Sequence, residues 1–309
     1  MKTLSILSRL VVGLFFLSTL FITSCKKEIS NNTAQEEEFA SKASSEADAE
    51  SEVMFNDVFD NVLGADDEVG MGGIGVFGRA NNSSSNGSIS ARGDSLSPRC
   101  FTKTVIRLNP PAPFPVKIIL DFGNGCRGRD GRWRSGKIIT IYTNRLVVPE
   151  AKATTTFENY KVDSVKVEGT HIITNVSTSN VHRFKVQAIE AKLTKPNGNY
   201  SMWNSVKYIT QIEGLGTPYY PIDDVYKIEG SANGKVKREN LLFTWRSEII
   251  EPLIKKFTCP WIVKGRIKII RETLSSTSPW IAVLDYGNGV CDNKAVITIN
   301  GIPNEITLH

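Results

Sequence analysis

Trp261-Ile262-Val263-Lys264-Gly265-Arg266-Ile267-Lys268-Ile269-Ile270 is the stretch that decides the fold class. Trp261, Val263, Gly265, Ile267 and Ile269 alternate with Ile262, Lys264, Arg266, Lys268 and Ile270, the period of two that gives a strand one mostly wet face. Outward from it, β-rich runs occupy 116–122, 137–143, 184–194, 203–212, 241–245, 280–286 and 295–299. Turn-forming clusters such as Lys195-Pro196-Asn197-Gly198-Asn199 and Ala232-Asn233-Gly234-Lys235 separate them. No helical period of similar length appears after residue 98. The expectation is an all-β region over 98–309, an antiparallel sandwich, barrel or extended meander.

A repeat lies inside this region. Cys100 leads through β-rich sequence to Leu120-Asp121-Phe122-Gly123-Asn124-Gly125-Cys126, and Cys259 leads to Leu284-Asp285-Tyr286-Gly287-Asn288-Gly289-Val290-Cys291. Each copy then continues into another strand, so both read as one strand-turn-strand unit. Four cysteines allow three pairings; the repeat favours Cys100 with Cys126 and Cys259 with Cys291, one staple per copy. The glycines and Asn suit positive φ at a tight turn. Asp121 and Asp285 either bond their own turn amides or, with Asn124 and Asp130 or Asn288 and Asp292, supply oxygens to calcium; the spacing departs from the EF-hand order, which favours the turn.

The first residues have the order of an export signal: Lys2 and Arg9, an apolar run to Ile22, then Thr23-Ser24-Cys25. That run is too short for a membrane-spanning helix in the mature protein. Ile22-Thr23-Ser24-Cys25 resembles the bacterial lipobox, which implies cleavage after residue 24 and a lipid on Cys25. Lys26 after the cysteine resembles the outer-membrane pattern of lipoproteins, and Lys26-Lys27-Glu28 loosely resembles the surface-export tag of Bacteroidota. The implied address is the outer membrane, surface-exposed or periplasmic. The Leu-Asp-aromatic-Gly-Asn-Gly-Cys units, the Asp223-Asp224-Val225-Tyr226 string and the terminal unit together resemble a Bacteroidota lipoprotein family that carries no established activity. That resemblance covers most of 50–309 and implies boundaries, not function.

Charge is divided unevenly. Residues 26–97 hold 5 basic and 14 acidic groups, whereas 98–309 hold 30 and 18. The chain thus reads as a signal peptide (1–24), a lipidated acidic tether (25–97) and a basic β domain (98–309). Ser-, Asn- and Glu-rich composition predicts that most of the tether is disordered. Met54, Phe55, Val58, Phe59 and Val62 recur at helical spacing and predict one short helix near 50–63, ending by Gly64. The −9 tether could also fold back on the +12 domain and satisfy its charge there.

Catalytic signatures are missing from the sequence. Of three histidines, His171 and His182 lie in β-rich sequence and His309 is last, with no nucleophile elbow, metal-protease motif or phosphate loop nearby. No cofactor or metal motif occurs, and Asp223 with Asp224, adjacent in an extended segment, would point to opposite faces. Arg127, Arg129, Arg132, Arg134 and Lys137 crowd a Gly-rich loop around Trp133, a cluster suited to an anionic glycan, lipopolysaccharide phosphate or an acidic protein. No nucleic-acid motif is present. The leading expectation is a non-enzymatic binding or surface-interaction module held to the membrane by lipid. The alternatives are an envelope hydrolase acting on glycans through dispersed carboxylates, and a structural assembly lipoprotein.

Overall fold

The computed structural model describes residues 31–65, 69, 101–128, 131–216, 223–272 and 280–308. Glu38–His309 form one compact unit; the other, Met1–Glu37, is described only over its helical residues 31–37. Alternating sequence becomes strand after strand. These are β1 (Thr102–Arg107), β2 (Val116–Asp121), β3 (Cys126–Arg127), β4 (Trp133–Tyr142), β5 (Lys152–Val162), β6 (Val165–Asn175) and β7 (Arg183–Thr194). They continue as β8 (Tyr200–Glu213), β9 (Val225–Arg238), β10 (Leu241–Lys256), β11 (Ile262–Arg271), β12 (Ala282–Asn288), β13 (Lys294–Ile299) and β14 (Ile302–Thr307). Neighbours in sequence pair antiparallel, with the two-residue β3 set beside β4, so the path runs β1-β2-β4 and onward to β14. The result is an open meander ending at β1 and β14, the third of the expected all-β forms.

Side-chain alternation sets the two faces. Along β8, Trp203, Ser205, Lys207 and Ile209 are buried while Asn204 and Val206 are exposed. The buried face receives helix α1 (Asn31–Leu63). Its Phe55 ring lies 5.5 Å from Trp203 in β8, 5.9 Å from His171 in β6 and 6.3 Å from Phe157 in β5. Phe59 meets Phe184 in β7, and Phe39 meets Phe243 in β10. At the other end the Tyr142 hydroxyl of β4 donates to the carbonyl of Val62, satisfying a helix C-terminal acceptor that has no partner of its own. One helix therefore touches strands from β4 to β10, which requires the twisted sheet to curve around it.

The helix ends where the apolar period predicts, but it is much longer than the 50–63 segment. Between Phe39 and Val53 it is seated on the sheet by small residues, with no large apolar side chain. Ala40, Ala43 and Ala47 allow close approach, and Ser45 and Ser51 bond carbonyls one turn back. A search for large apolar residues at helical spacing is blind to such a stretch. Part of the segment read as a disordered tether is thus ordered core; 66–68 and 70–97 lie outside the described residues.

The repeat is real in three dimensions. Strands β1, β2 and β4 stand to each other as β11, β12 and β13 do. Asp121 accepts the Gly123 amide and Asp285 the Gly287 amide, each at 2.8 Å, so both aspartates close their own turns. Phe122 and Tyr286, the aromatic position of each copy, are buried. Cys259 bonds Cys291, as the repeat predicts. Cys126 is also disulfide-bonded, while Cys100 lies outside the described residues. Opening the 32-residue Cys259–Cys291 span by a double Cys→Ser substitution should lower unfolding free energy by about 3–4 kcal/mol in urea denaturation under oxidising conditions.

Candidate functional site

The inner face of the sheet buries charge. Trp203 Nε1, Trp245 Nε1 and Ser247 Oγ all donate to Asp48 Oδ1, at 3.0, 3.2 and 2.9 Å. Gly234 leaves room for the Trp245 indole, since a Cβ there would lie 2.6 Å from its ring. Further along α1, Glu52 Oε2 is 3.0 Å from Lys207 Nζ, Asp57 Oδ1 is 2.6 Å from Arg134 Nη2, and Asp60 Oδ2 is 2.7 Å from Lys255 Nζ. Glu50 pairs with Lys195 nearer the surface. Burial pushes the Asp60 carboxyl up, with Lys255 opposing it. This is the fold-back of acidic segment onto basic domain, in the form of individual pairs.

Arg134 is therefore a core residue, not part of an exposed basic cluster. The loop read as a ligand site is distributed among separate environments. Arg132 is buried with its guanidinium 5.1 Å over the Trp261 ring, and Lys137 pairs with Glu158 at 3.2 Å. Arg127 is exposed and its Nε donates to the Gly131 carbonyl. Trp133 is 51% exposed, yet its indole covers Gly125, where a Cβ would lie 2.3 Å away. Arg129 lies outside the described residues.

The remaining titratable candidates are internal. Asp224 is buried at the entry to β9, accepting from Gln211 Nε2 at 2.7 Å and from the Tyr226 hydroxyl at 2.9 Å, while Asp223 beside it is exposed. Burial raises its carboxyl, and the two hydrogen bonds work the other way. His182 Nδ1 reaches Gln211 Oε1 at 3.2 Å, completing a chain that ties β7, β8 and β9 together. His171 is different: it is fully buried, and neither ring nitrogen has a hydrogen-bond partner. A small cavity of about 10 Å³ lies beside it, lined also by Glu52, Phe55, Trp203 and Lys207. Burial holds the imidazole uncharged, down to a pKa of about 3.

The outer face carries a broad depression that has no packing role above. It is a groove of about 810 Å³ across β7 to β11. Register sets Gln187, Val206, Ser231, Glu248 and Lys268 in one cross-strand row, and Asn204, Asn233, Arg246 and Ile270 in the next. Its central strand is small-residue sequence, Gly230-Ser231-Ala232-Asn233, so the floor is low. Register breaks in β7 after Ala188 and in β10 after Glu248 bend the flanking strands at its edge. Amides, the Ser231 hydroxyl, two cations and two carboxylates thus line one trough, with Ile189, Val206 and Ile270 as apolar walls. The strands beneath are paired on both sides, so a ligand there is held by side chains and not by strand addition.

Comparison with protein-family models, curated proteins and solved structures found no match. The groove and the buried pairs therefore stand on geometry alone. The sequence raised the fold-back but neither the groove nor the individual pairs, although Lys207 falls in phase with Trp203 and Ile209 on an inward face, a detectable sign of a buried partner.

Two outcomes follow from the interior. Asp57→Ala removes the carboxylate 2.6 Å from the buried Arg134 guanidinium and should cost about 3–5 kcal/mol, whereas Asp57→Leu combined with Arg134→Met should recover most of it, as read by chemical denaturation. His171 titrates near 6.5 when unfolded and near 3 when folded, so the unfolded chain binds the extra proton between those values. Stability should then fall as pH drops below 6.5, by up to about 1.4 kcal/mol per pH unit, and His171→Leu should flatten that part of the curve.

Proposed function

We propose that this chain is a lipid-anchored, non-enzymatic binding protein of the outer membrane, and that its ligand seat is the groove across β7 to β11. The observation that carries this reading is the groove itself: hydrogen-bonding side chains from five strands face outward into one trough on a sheet whose other face is closed by α1. Cations and carboxylates are both present in it, Arg246 and Lys268 with Glu248 and Glu272, which suits an extended polar ligand of low net charge better than a polyanion. The length of about five strands at 4.8 Å spacing fits a short oligomer lying across them.

The anchor is argued from Ile22-Thr23-Ser24-Cys25. Twelve residues, 26–37, separate Cys25 from the Glu38–His309 unit. Even fully extended, at about 3.5 Å per residue, they keep a lipidated unit within about 45 Å of the bilayer. The 70-residue spacer expected from composition shrinks accordingly, because 38–63 are spent in the core.

Ser231→Trp fills the trough at its lowest strand while leaving the inner face untouched. Screened against arrays of neutral oligosaccharides and of peptides, the unsubstituted protein should retain a ligand that the Trp variant loses at least tenfold. A ligand held equally by both would place the seat elsewhere.

A further inference from the structure

The rim at which the β7–β8 and β9–β10 hairpins turn carries outward side chains that the groove does not use. Register sets Tyr200 beside Lys237 and Lys237 beside Leu242, and Met202 beside Lys235. Their inward neighbours Ser201, Trp203, Val236 and Phe243 are buried, which leaves the first set on the outer face. Lys192 Nζ lies 5.0 Å from the Tyr200 ring centroid. Leu241 and Leu242 at the turn are 41% and 56% exposed, and Phe39 of α1 beside them is 46% exposed. Around these apolar side chains stand Lys192, Lys235, Lys237 and Arg238, with Glu239 at the turn and Glu168, itself paired with Lys166, across from Lys192. Lys235 and Lys237 form no ion pair with any described residue.

We infer that this rim rests on a phospholipid bilayer with anionic headgroups. Exposed leucines with a tyrosine enter the boundary between headgroup and acyl chain, while lysines reach phosphates on flexible apolar stems. The position of the chain points the same way. Phe39 packs 6.0 Å from Phe243, so α1 enters the Glu38–His309 unit at this rim, with twelve residues between Cys25 and Glu38. A lipid on one end of that short stretch and a basic, apolar rim at the other are the two signals that stable membrane attachment requires. The positional part of this argument rests on the anchor proposed above; the composition of the rim does not.

The test separates the two. Protein comprising 26–309, which contains the whole compact unit and no lipid, is mixed with vesicles of phosphatidylcholine alone or of equal parts phosphatidylcholine and phosphatidylglycerol. Co-sedimentation with the mixed vesicles is expected, weakened at least about tenfold by Lys235→Glu with Lys237→Glu at about 1 kcal/mol per charge near the surface, and weakened likewise by Leu242→Asp. All three positions are on the outer face, and unchanged circular dichroism and thermal transition verify the fold. Equal binding to both vesicle types, survival of binding in the double variant, or rim-dependent binding to an acidic protein without any to vesicles overturns the inference. Separately, the full chain with Cys25→Ala is fractionated from cells. Its persistence in lipid-modified form would end the anchor reading while leaving the vesicle result standing.

Discussion

The carboxylates of α1, buried against cations and indole donors of the sheet, are the constraint on which the rest of the structure depends. Apolar packing is non-directional, and a helix whose buried positions over 40–51 are mostly alanine and serine could slide or rotate on a curved sheet with little loss. Charges do not permit that. Asp48 must meet Trp203, Trp245 and Ser247, Glu52 must meet Lys207, Asp57 must meet Arg134 and Asp60 must meet Lys255. A shift of one residue would leave several of these groups desolvated and unpaired, each at a cost of several kcal/mol. The pairs thus fix the helix in one rotation and one height. Their net stabilising worth can be small; their effect on position is large.

Fixing the helix fixes the faces. Because α1 claims the inward phase of β4 to β10, the outward phase is free of packing duties and can carry function. Mid-sheet strands there have both edges paired, so recognition on that face falls to side chains. Where β9 is reduced to Gly230-Ser231-Ala232-Asn233, the face sinks, and neighbouring bulges bend the strands on either side.

The fold class was legible because strand alternation is a local property: every inward residue of 261–270 is decided by its own phase. The repeat was legible for the same reason, and the turns closed by Asp121 and Asp285 have the bonding their residue types favour. What escaped was long-range. Asp48 read as part of a disordered tether, and Glu52, Asp57 and Asp60 as acids of a short helix, until the sheet supplies partners between 134 and 255. Arg134 read as a loop cation because its neighbours Arg127 and Arg132 are cations, yet alternation in β4 turns it inward and Trp133 outward. The groove could not be read at all, since its rows are made by register between five strands and no segment contains more than a few of its residues.

The same pairing alters what the charge asymmetry means. Residues 98–309 carry +12, which taken alone suggests a basic domain seeking an anionic partner. Residues 38–63 of the helix, with seven acids against Lys42, bring −6 onto that domain and take up its innermost cations. Some +6 is left over that large surface, too little to act as a general field at physiological salt, where charges beyond about 8 Å are screened. Electrostatic attraction must therefore be local, confined to places where clustered cations are not taken up in ion pairs. The loop around Trp133 fails that condition, because Arg134 is spent on Asp57 and Lys137 on Glu158. Among described residues the Lys192, Lys235 and Lys237 rim meets it, beside exposed leucines and at the point where the chain arrives from Cys25.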